Sequence, residues 1–454
     1  MNNTSFRDPC GFVFKKDDVI YRQINLSAKD DYDYLMNSGL YTYLTEKNFL
    51  VTHEEIDLSV EKSHDFYKFI KPQQLQNISY PYEWAFSALK DSALLTLKIQ
   101  KIALKYEMSL KDASAYNVQF LNGKTIFIDT LSFEKYIENT PWKAYGQFCR
   151  HFLAPLALMS FSDISLNKLL ITNIDGISLD VTSKLLPLKS KLNFGIFTHI
   201  FLHSLSQKTY ENEKQGLSAT AKMSKNEQLA LIESLIDTVK SLKFPKIFTE
   251  WGNYYQNTNY SDEAAQEKYD IISNYINIVA PKSLCDLGAN RGDFSRISSN
   301  QNIPTIAFDI DPVAVEDNYL YSKRNSESFI LPLIQDLTNP SPAIGFMNNE
   351  RADFISRFKC DTVMALALIH HLAISNNLPF ENLAVFFGQL GENLIIEFVP
   401  KEDSKVQVLL SSREDIFVNY NQEEFEKVFA KYFEIVEKTP LKNSLRTMYL
   451  MRKK

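Results

Sequence analysis

Residues 283–297 read Ser-Leu-Cys-Asp-Leu-Gly-Ala-Asn-Arg-Gly-Asp-Phe-Ser-Arg-Ile and decide how the second half of the chain is interpreted. The first five residues are typical of a short buried strand, and Gly288 and Gly292 mark a turn before a helical pattern. A second strand-like run, 304–310, has an acid, Asp309, near its end. A strand, a glycine turn, a helix and then an acid about 20 residues on form a nucleoside-binding unit, in which the acid accepts hydrogen bonds from the ribose.

The spacing within the turn distinguishes two kinds of nucleoside cofactor. Dinucleotide sites use Gly-x-Gly-x-x-Gly, which places a pyrophosphate on the N-terminus of the helix. Here the turn reads Asp286-x-Gly288-x-Asn290-x-Gly292. Because a carboxylate before the first glycine repels a pyrophosphate and attracts a cation, the turn favours a cationic nucleoside.

This turn resembles the first motif of the class I S-adenosylmethionine-dependent methyltransferases, Asp-x-Gly-x-Asn-x-Gly. The resemblance implies that Asp286 lies near the methionine part of the cofactor, that Asp309 holds the ribose and that Asp336 accepts from the adenine amino group. The full set of cofactor-binding residues that it implies is Asp286, Gly288, Asn290, Gly292, Asp309, Ile310, Asp336, Leu337 and Ala365. It implies no catalytic metal.

Further strand-like runs extend the resemblance from residue 251 to the end of the chain. They are 331–334, 362–366 and 393–399, followed by two β-rich runs, 432–438 and 446–451, that are joined around Pro440. With the two strands above, they predict an α/β domain with a seven-stranded, doubly wound methyltransferase sheet. Its last two strands form the terminal antiparallel hairpin that separates this family from dinucleotide-binding sheets.

Three residues at the ends of predicted strands are candidate catalytic residues. His370 and His371 follow the fourth strand, and Glu397 lies near the end of the fifth. Ligands of such sheets bind beyond the carboxyl ends of the strands, so a histidine there can remove a proton from a methyl acceptor. The alternatives are packing or backbone hydrogen bonding for a histidine, and orientation of a neighbouring loop for Glu397.

The first half carries a different pattern, Asp112-x-x-x-x-Asn117 followed by a strand that ends at Asp129. It resembles the catalytic loop and metal-binding aspartate of the protein-kinase-like fold. A predicted hairpin around residues 15–18 and a long helix at 86–106 agree with an α+β kinase-like domain.

The departures from the kinase pattern concern the groups that hold phosphate. The first 120 residues contain only two glycines, Gly11 and Gly39, so no Gly-rich loop is present, and Leu110 and Lys111 replace the usual histidine and arginine. Because phosphoryl transfer needs a phosphate clamp, we expect a degenerate module. An active kinase and a chance Asp-x4-Asn pattern are the alternatives.

Composition limits the partners and the compartment. A net charge of −6 disfavours nucleic acid as the main partner, and no run approaches the roughly 20 apolar residues of a membrane span. The four cysteines show no Cys-x-x-Cys pairing, which is typical of free thiols in the cytoplasm. We therefore expect a cytoplasmic protein without a membrane partner, and its oligomeric state stays open.

Polarity along the chain predicts three regions. Residues 1–205 are the kinase-like domain, 206–250 a polar linker with a bridging helix, and 251–454 the methyltransferase domain. The polar stretch itself is 206–226. Aromatic residues at 251–260 are equally suited to covering the cofactor and to simple packing.

Four short sequence segments, spread along the chain, also resemble those of the NoeA-type nodulation methyltransferases. They are Tyr80-Pro-Tyr-Glu-Trp, Leu110-Lys-Asp-Ala-Ser, Ile128-Asp-Thr-Leu-Ser-Phe and Ile369-His-His-Leu. This similarity fixes no substrate.

The lack of an Asn/Asp-Pro-Pro-Tyr/Phe motif after the fourth strand favours a hydroxyl acceptor, such as a saccharide or small metabolite. The sequence thus predicts a methyltransferase whose N-terminal half selects its substrate. The alternatives are a bifunctional kinase–methyltransferase and a non-catalytic cofactor-binding scaffold.

Overall fold

The computed structural model describes residues 5–58, 63–205, 222–249, 262–411 and 414–454. The chain forms two compact units. The first comprises Met1–Lys246 with Ala343–Ala352, and the second Ile247–Pro342 with Asp353–Lys454. The first unit is therefore discontinuous in sequence. Most of the predicted polar stretch 206–226, namely 206–221, and the aromatic stretch 251–260 lie outside the described residues.

The first unit begins with a small antiparallel sheet and continues mainly as helices. Its strands are β1 (Gly11–Lys16), β2 (Val19–Asn25), β3 (His53–Ile56), β4 (Phe66–Pro72), β5 (Met108–Leu110), β6 (Val118–Leu121), β7 (Lys124–Phe127) and β8 (Phe133–Lys135). The first four form one sheet in the order β1-β2-β4-β3, while β5 pairs with β8 and β6 with β7. The predicted hairpin is confirmed, with Lys16 paired to Val19.

Helices make up the rest of the first unit. They are α1 (Lys29–Asn37), α2 (Leu40–Glu46), α3 (Phe86–Lys105), α4 (Tyr145–Phe148), α5 (Ala154–Phe161), α6 (Leu169–Thr172), α7 (Leu179–Leu185), α8 (Phe194–Ile196) and α9 (Lys225–Ser241). Helix α9 starts at a capping box, because Ser224 and Glu227 satisfy each other's backbone N–H groups. It belongs to this unit, and Lys101 of α3 pairs with Glu233 of α9.

The second unit is built on one seven-stranded sheet. Its strands are β9 (Leu284–Leu287), β10 (Thr305–Asp309), β11 (Ile330–Ile334), β12 (Cys360–Ala365), β13 (Gly391–Phe398), β14 (Phe433–Pro440) and β15 (Thr447–Lys453). Its helices are α10 (Asp262–Val279), α11 (Ser295–Ser299), α12 (Pro312–Arg324), α13 (Phe354–Arg357), α14 (Phe380–Leu390), α15 (Ser404–Ser411) and α16 (Gln422–Phe429).

The strand order of this sheet is β11-β10-β9-β12-β13-β15-β14. The first five strands run parallel, whereas β15 pairs antiparallel with both β13 and β14. The predicted α/β domain with seven strands and a terminal antiparallel hairpin is therefore confirmed. Strand β9 is buried along its whole length, as expected for a central strand covered on both faces.

Two of the predictions concern membrane spans and the kinase likeness of the first half. No helix among the described residues is both long and apolar enough to cross a membrane. The likeness of the first unit to a kinase is not tested by its strand order and stays a prediction.

Candidate functional site

A left-handed turn follows the central strand β9. Gly288, Asn290 and Gly292 have φ angles of +77°, +51° and +78°. Glycine adopts this region without steric cost, and asparagine tolerates it better than most residues. A methyl group on Gly292 would lie 2.5 Å from Nδ2 of Asn318, so this position needs glycine for space as well as for conformation.

Asp309, at the end of β10, ties the turn to the neighbouring strand. Its Oδ2 accepts from the backbone N–H of Asn290 at 2.7 Å, and its Oδ1 accepts from that of Asp311 at 2.9 Å. Burial raises the pKa of Asp309 to about 6, against the lowering effect of these N–H donors. Each oxygen keeps a second lone pair, which suits the acceptance of two ribose hydroxyl groups.

Asp286 lies inside β9 and is almost completely buried. The Ser295 hydroxyl donates to its Oδ2 at 2.6 Å. Burial raises the pKa of Asp286 to about 7, the negative charge of Asp309 adds to the rise, and Ser295 and Lys268 oppose it. Its carboxyl group is therefore poised to lose a proton when a cation approaches.

The other predicted cofactor residues follow β10, β11 and β12 at the same edge of the sheet. Ile310 leaves about half of its side chain exposed, although it directly follows a fully buried strand. Asp336 is half-buried, and its Oδ1 accepts from the Thr338 N–H at 2.9 Å and hydroxyl at 2.6 Å. Leu337 is half-buried and Ala365 fully buried. The structure places these residues at or just beyond the carboxyl ends of parallel strands, and their contact with a cofactor stays a prediction.

The two candidate histidines lie side by side after β12. Their ring centroids are 4.0 Å apart, and His371 opens a π-helical turn, His371–Ser375. His370 is 2 % exposed, and its buried Nδ1 makes no hydrogen bond within the described structure. Burial lowers the pKa of His370 well below its ordinary value and that of His371 to about 4. Both rings are therefore neutral near pH 7, and each is a weaker base than an ordinary histidine.

The third catalytic candidate, Glu397, is fully buried within a chain of ion pairs. It accepts from Lys268 Nζ at 2.6 Å and from Arg446 Nη1 at 3.3 Å. Arg446 also donates through Nε to Asp403 at 2.7 Å. A carboxylate held from both sides and without exposure fits the orienting alternative better than contact with a substrate.

Sequence reasoning missed Lys268, which lies on helix α10 and is itself buried. A signal was present, because Lys268 shares the helical spacing of Ile271, Ile272 and Tyr275, which form the apolar face. A charged residue on such a face needs a buried partner. The partner itself, Glu397, could not be deduced because it is more than a hundred residues away.

In the first unit, the residues of the kinase-like pattern are brought together around a strand arginine. Arg22 of β2 donates to Asp129 and, at 2.7 Å, to Asp8. Burial and the charge of Asp129 raise the pKa of Asp112. Asn117 donates to the Ser132 hydroxyl at 3.1 Å. No group of three or more His, Cys, Asp or Glu side chains in the described ranges has metal-binding geometry.

Comparison with known proteins gives the family of the chain. No family model matches it. The nodulation protein NoeA of Rhizobium meliloti (strain 1021) is 34 % identical over 452 residues, which are 98 % of this chain and 94 % of NoeA. The chain belongs to the NoeA family. The predicted whole-chain resemblance is therefore confirmed.

Solved structures give weaker likenesses to this NoeA-family chain. The match to magnesium protoporphyrin IX methyltransferase (ChlM) from Synechocystis PCC 6803 covers 45 % of this chain and 93 % of ChlM, with 15 % sequence identity and a TM-score of 0.32. The match to the N-methyltransferase NodS from Bradyrhizobium japonicum WM9 covers 42 % of this chain and 98 % of NodS, with 10 % identity and a TM-score of 0.31. The match to the bifunctional kinase-methyltransferase WbdD covers 41 % of this chain and 39 % of WbdD, with 15 % identity and a TM-score of 0.29. These scores assign no activity.

Proposed function

We propose that this NoeA-family protein is an S-adenosylmethionine-dependent methyltransferase. The observation that carries the proposal is the hydrogen bond from Asn290 N–H to Asp309, which fixes an acid against a left-handed glycine turn. This pair lies at the carboxyl ends of β9 and β10, and ligands of doubly wound sheets bind beyond the carboxyl ends of the strands. The arrangement suits a ribose held by Asp309 and a ligand backed by the turn.

The acid inside β9 supports a cationic ligand. Asp286 is buried beside the turn with a pKa near 7, so a positive charge close to it favours ionisation. When bound, S-adenosylmethionine supplies an electrophilic methyl group on a sulfonium cation. A nicotinamide dinucleotide would instead bring its pyrophosphate towards a carboxylate, which is unfavourable.

The chain's own part in methyl transfer is mainly to position the acceptor. Alignment of two reactants corresponds to about 7–11 kcal/mol of the barrier in well-oriented systems. For a hydroxyl acceptor, the neutral ring of His370 or His371 can take the proton, a contribution of about 10²–10⁴-fold. We propose a hydroxyl group, of a saccharide or small metabolite, as the acceptor.

The first unit is proposed to select this acceptor rather than to transfer phosphate. In the kinase-like pattern, Asp129 would hold a metal ion, but it is paired with Arg22. An ion pair with Arg22, which also binds Asp8, already engages this carboxylate, and this disfavours the bifunctional alternative.

Calorimetry tests the cofactor, with the full chain titrated by S-adenosylmethionine, S-adenosylhomocysteine and NAD. We expect binding of the first two and none of NAD. Asp309→Ala should weaken S-adenosylmethionine binding by roughly 1–3 kcal/mol, because the ligand hydroxyls lose their acceptor. Unaltered affinity in this variant would overturn the assigned site. Transfer of label from S-adenosylmethionine to fractions of a cell lysate would then identify the acceptor.

A further inference from the structure

Three buried polar atoms without hydrogen-bond partners lie close together in the first unit. They are the hydroxyl of Tyr116, Nδ1 of His151 and Nε of Arg351. The side chains of Tyr116 and His151 are 8 % and 2 % exposed. A buried polar atom without a partner destabilises the folded chain, so three in one place indicate a missing partner.

The geometry shows that these atoms belong to one cluster. The rings of Tyr116 and His151 meet edge to face, with their centroids 6.0 Å apart. The guanidinium carbon of Arg351 lies 4.2 Å from the centre of the Tyr116 ring. His151 belongs to a π-helical turn, Cys149–Leu153, and such turns occur frequently at functional sites.

Arg351 comes from the segment Ala343–Ala352, which lies in sequence between β11 and β12 but belongs to the first unit. The segment is held firmly there. The backbone N–H of Ala352 donates to the Tyr80 hydroxyl at 2.9 Å, and Ile344 forms a bridge with Arg351. The position of Arg351 over Tyr116 is therefore set by backbone contacts and not by the side chain alone.

Two arginines bring positive charge to the cluster. Arg150 and Arg351 both act electrostatically on His151, and neither forms an ion pair among the described residues. The carboxylates of Glu83 and Asp175 act electrostatically on Tyr116. Glu83 accepts from the backbone of Tyr80 at 2.8 Å, and the side chain of Asp175 is 84 % exposed.

We propose that Tyr116, His151, Arg150 and Arg351 form a binding site for an oxyanion. The hydroxyl of Tyr116 and the Nε–H of Arg351 donate to it, and the two arginines supply its counter-charge. Burial lowers the pKa of His151 to about 3, so this ring stays neutral and can donate from one nitrogen. The chemistry fits a carboxylate or a phosphate group. The four residues belong to the first unit, and none of them is one of the three residues of the kinase-like pattern, Asp112, Asn117 and Asp129.

The experiment uses the full chain and two probes, inorganic phosphate and acetate, at constant ionic strength against chloride. Thermal unfolding and calorimetry measure binding. We expect at least one probe to raise the midpoint of unfolding and to bind saturably. Tyr116→Phe keeps the ring but removes the hydroxyl, and should weaken binding by about fivefold or more. Arg351→Gln should weaken it by about tenfold or more, whereas Lys189→Gln, an exposed cation of the same unit, should bind as the parent does.

The outcomes separate the proposal from its alternatives. Binding of phosphate alone identifies a phosphate site, and binding of acetate alone a carboxylate site. If neither probe binds, the proposal is wrong. If Tyr116→Phe binds like the parent and unfolds at a higher temperature, water alone satisfies the hydroxyl and the proposal is also wrong. Tyr116→Phe keeps the test valid even if Arg351→Gln fails to fold.

Discussion

Two buried carboxyl groups set the chemistry of the glycine turn at the scale of single residues. Burial raises the pKa of both Asp286 and Asp309 above their ordinary values. Each acid is therefore more costly to ionise in the folded chain than in the unfolded one. A cationic ligand reverses this cost for Asp286, so the free protein keeps a carboxyl group whose charge becomes favourable only on binding.

We predict that affinity for S-adenosylmethionine depends on pH through Asp286. The ionised carboxylate attracts the cation, so the dissociation constant should rise as the pH falls below about 7, the pKa of this group. Binding near pH 7 should also release a fraction of a proton. Calorimetry in buffers of different ionisation enthalpy measures both effects. A pH-independent affinity between pH 6 and 8, with no proton release, would contradict the role of Asp286.

The same carboxyl group predicts a gain in stability on substitution. Because its pKa is raised on folding, its contribution is fully favourable below the unfolded pKa of about 3.9 and is lost as the pH rises towards 7. At pH 8, Asp286→Asn should therefore stabilise the free protein by about 2–4 kcal/mol while losing cofactor binding. Urea unfolding measures the change.

The matched control for this prediction is Asp293→Asn, which alters an exposed acid of the same loop. Its stability at pH 8 should stay within about 0.5 kcal/mol of the parent. Equal stability of the Asp286→Asn variant and the parent would mean that the folded chain does not penalise the charge of Asp286.

At the scale of elements, the turn after β9 combines conformation with close contact. Gly292 has a left-handed φ and no room for a side chain beside Asn318 of α12. Helix α12 itself starts at Asp311, whose side chain accepts from Val313 N–H, with Pro312 in the first turn. Turn and helix together fix Asp309 between them.

We predict that Gly292→Ala disturbs this element. Its methyl group would meet Nδ2 of Asn318 at 2.5 Å, and the left-handed φ adds about 1 kcal/mol of strain. Cofactor affinity and unfolding midpoint should both fall. Gly388→Ala in α14 is the control, since its methyl group would make an ordinary 3.5 Å contact with the Phe433 ring and should stabilise that helix by about 0.5–1 kcal/mol. A Gly292→Ala variant that binds normally would exclude the turn from the site.

The two histidines after β12 predict that substitutions there change the rate of methyl transfer and leave cofactor affinity unchanged. His370→Ala and His371→Ala should lower methyl transfer by about 10²-fold or more, while the affinity for S-adenosylmethionine should change little. Steady-state rates and calorimetry measure the two properties. His64→Ala, a change at a fully exposed ring, is the control. Normal turnover in both variants would remove these histidines from the mechanism.

The sequence predicted local elements well and distant partners poorly. Strand-like runs and the family resemblance together predicted all seven strands of the large sheet, and turn chemistry predicted the glycine turn and the Asp309 strand end. By contrast, Glu397 looked available for substrate contact, but two cations far away in the sequence enclose it. The pairing of Arg22 with Asp129 was hidden for the same reason. Local pattern gives the type of an element, and only tertiary packing gives the partners of its charges.

At the scale of the whole molecule, we predict that the protein catalyses methyl transfer and not phosphoryl transfer. The protein should show no ATP hydrolysis or autophosphorylation, because Asp129 is held in an ion pair with Arg22. Asp112→Asn should leave methyl transfer intact. Radiolabelled ATP and S-adenosylmethionine assays on the same preparation measure both. Metal-dependent phosphoryl transfer that is lost in Asp129→Ala would instead establish the bifunctional enzyme.

The segment Ala343–Ala352 makes the chain hard to divide. A fragment that ends at Lys246 would lack Arg351, and a fragment that starts at Ile247 would carry this segment without the residues that enclose it, such as Tyr80. Its buried Ile344 would then meet water. Two halves expressed separately should therefore be poorly soluble alone and recover when produced together. For the same reason, splitting the gene near Lys246 should yield two unstable products. We therefore expect both units to be encoded by one gene.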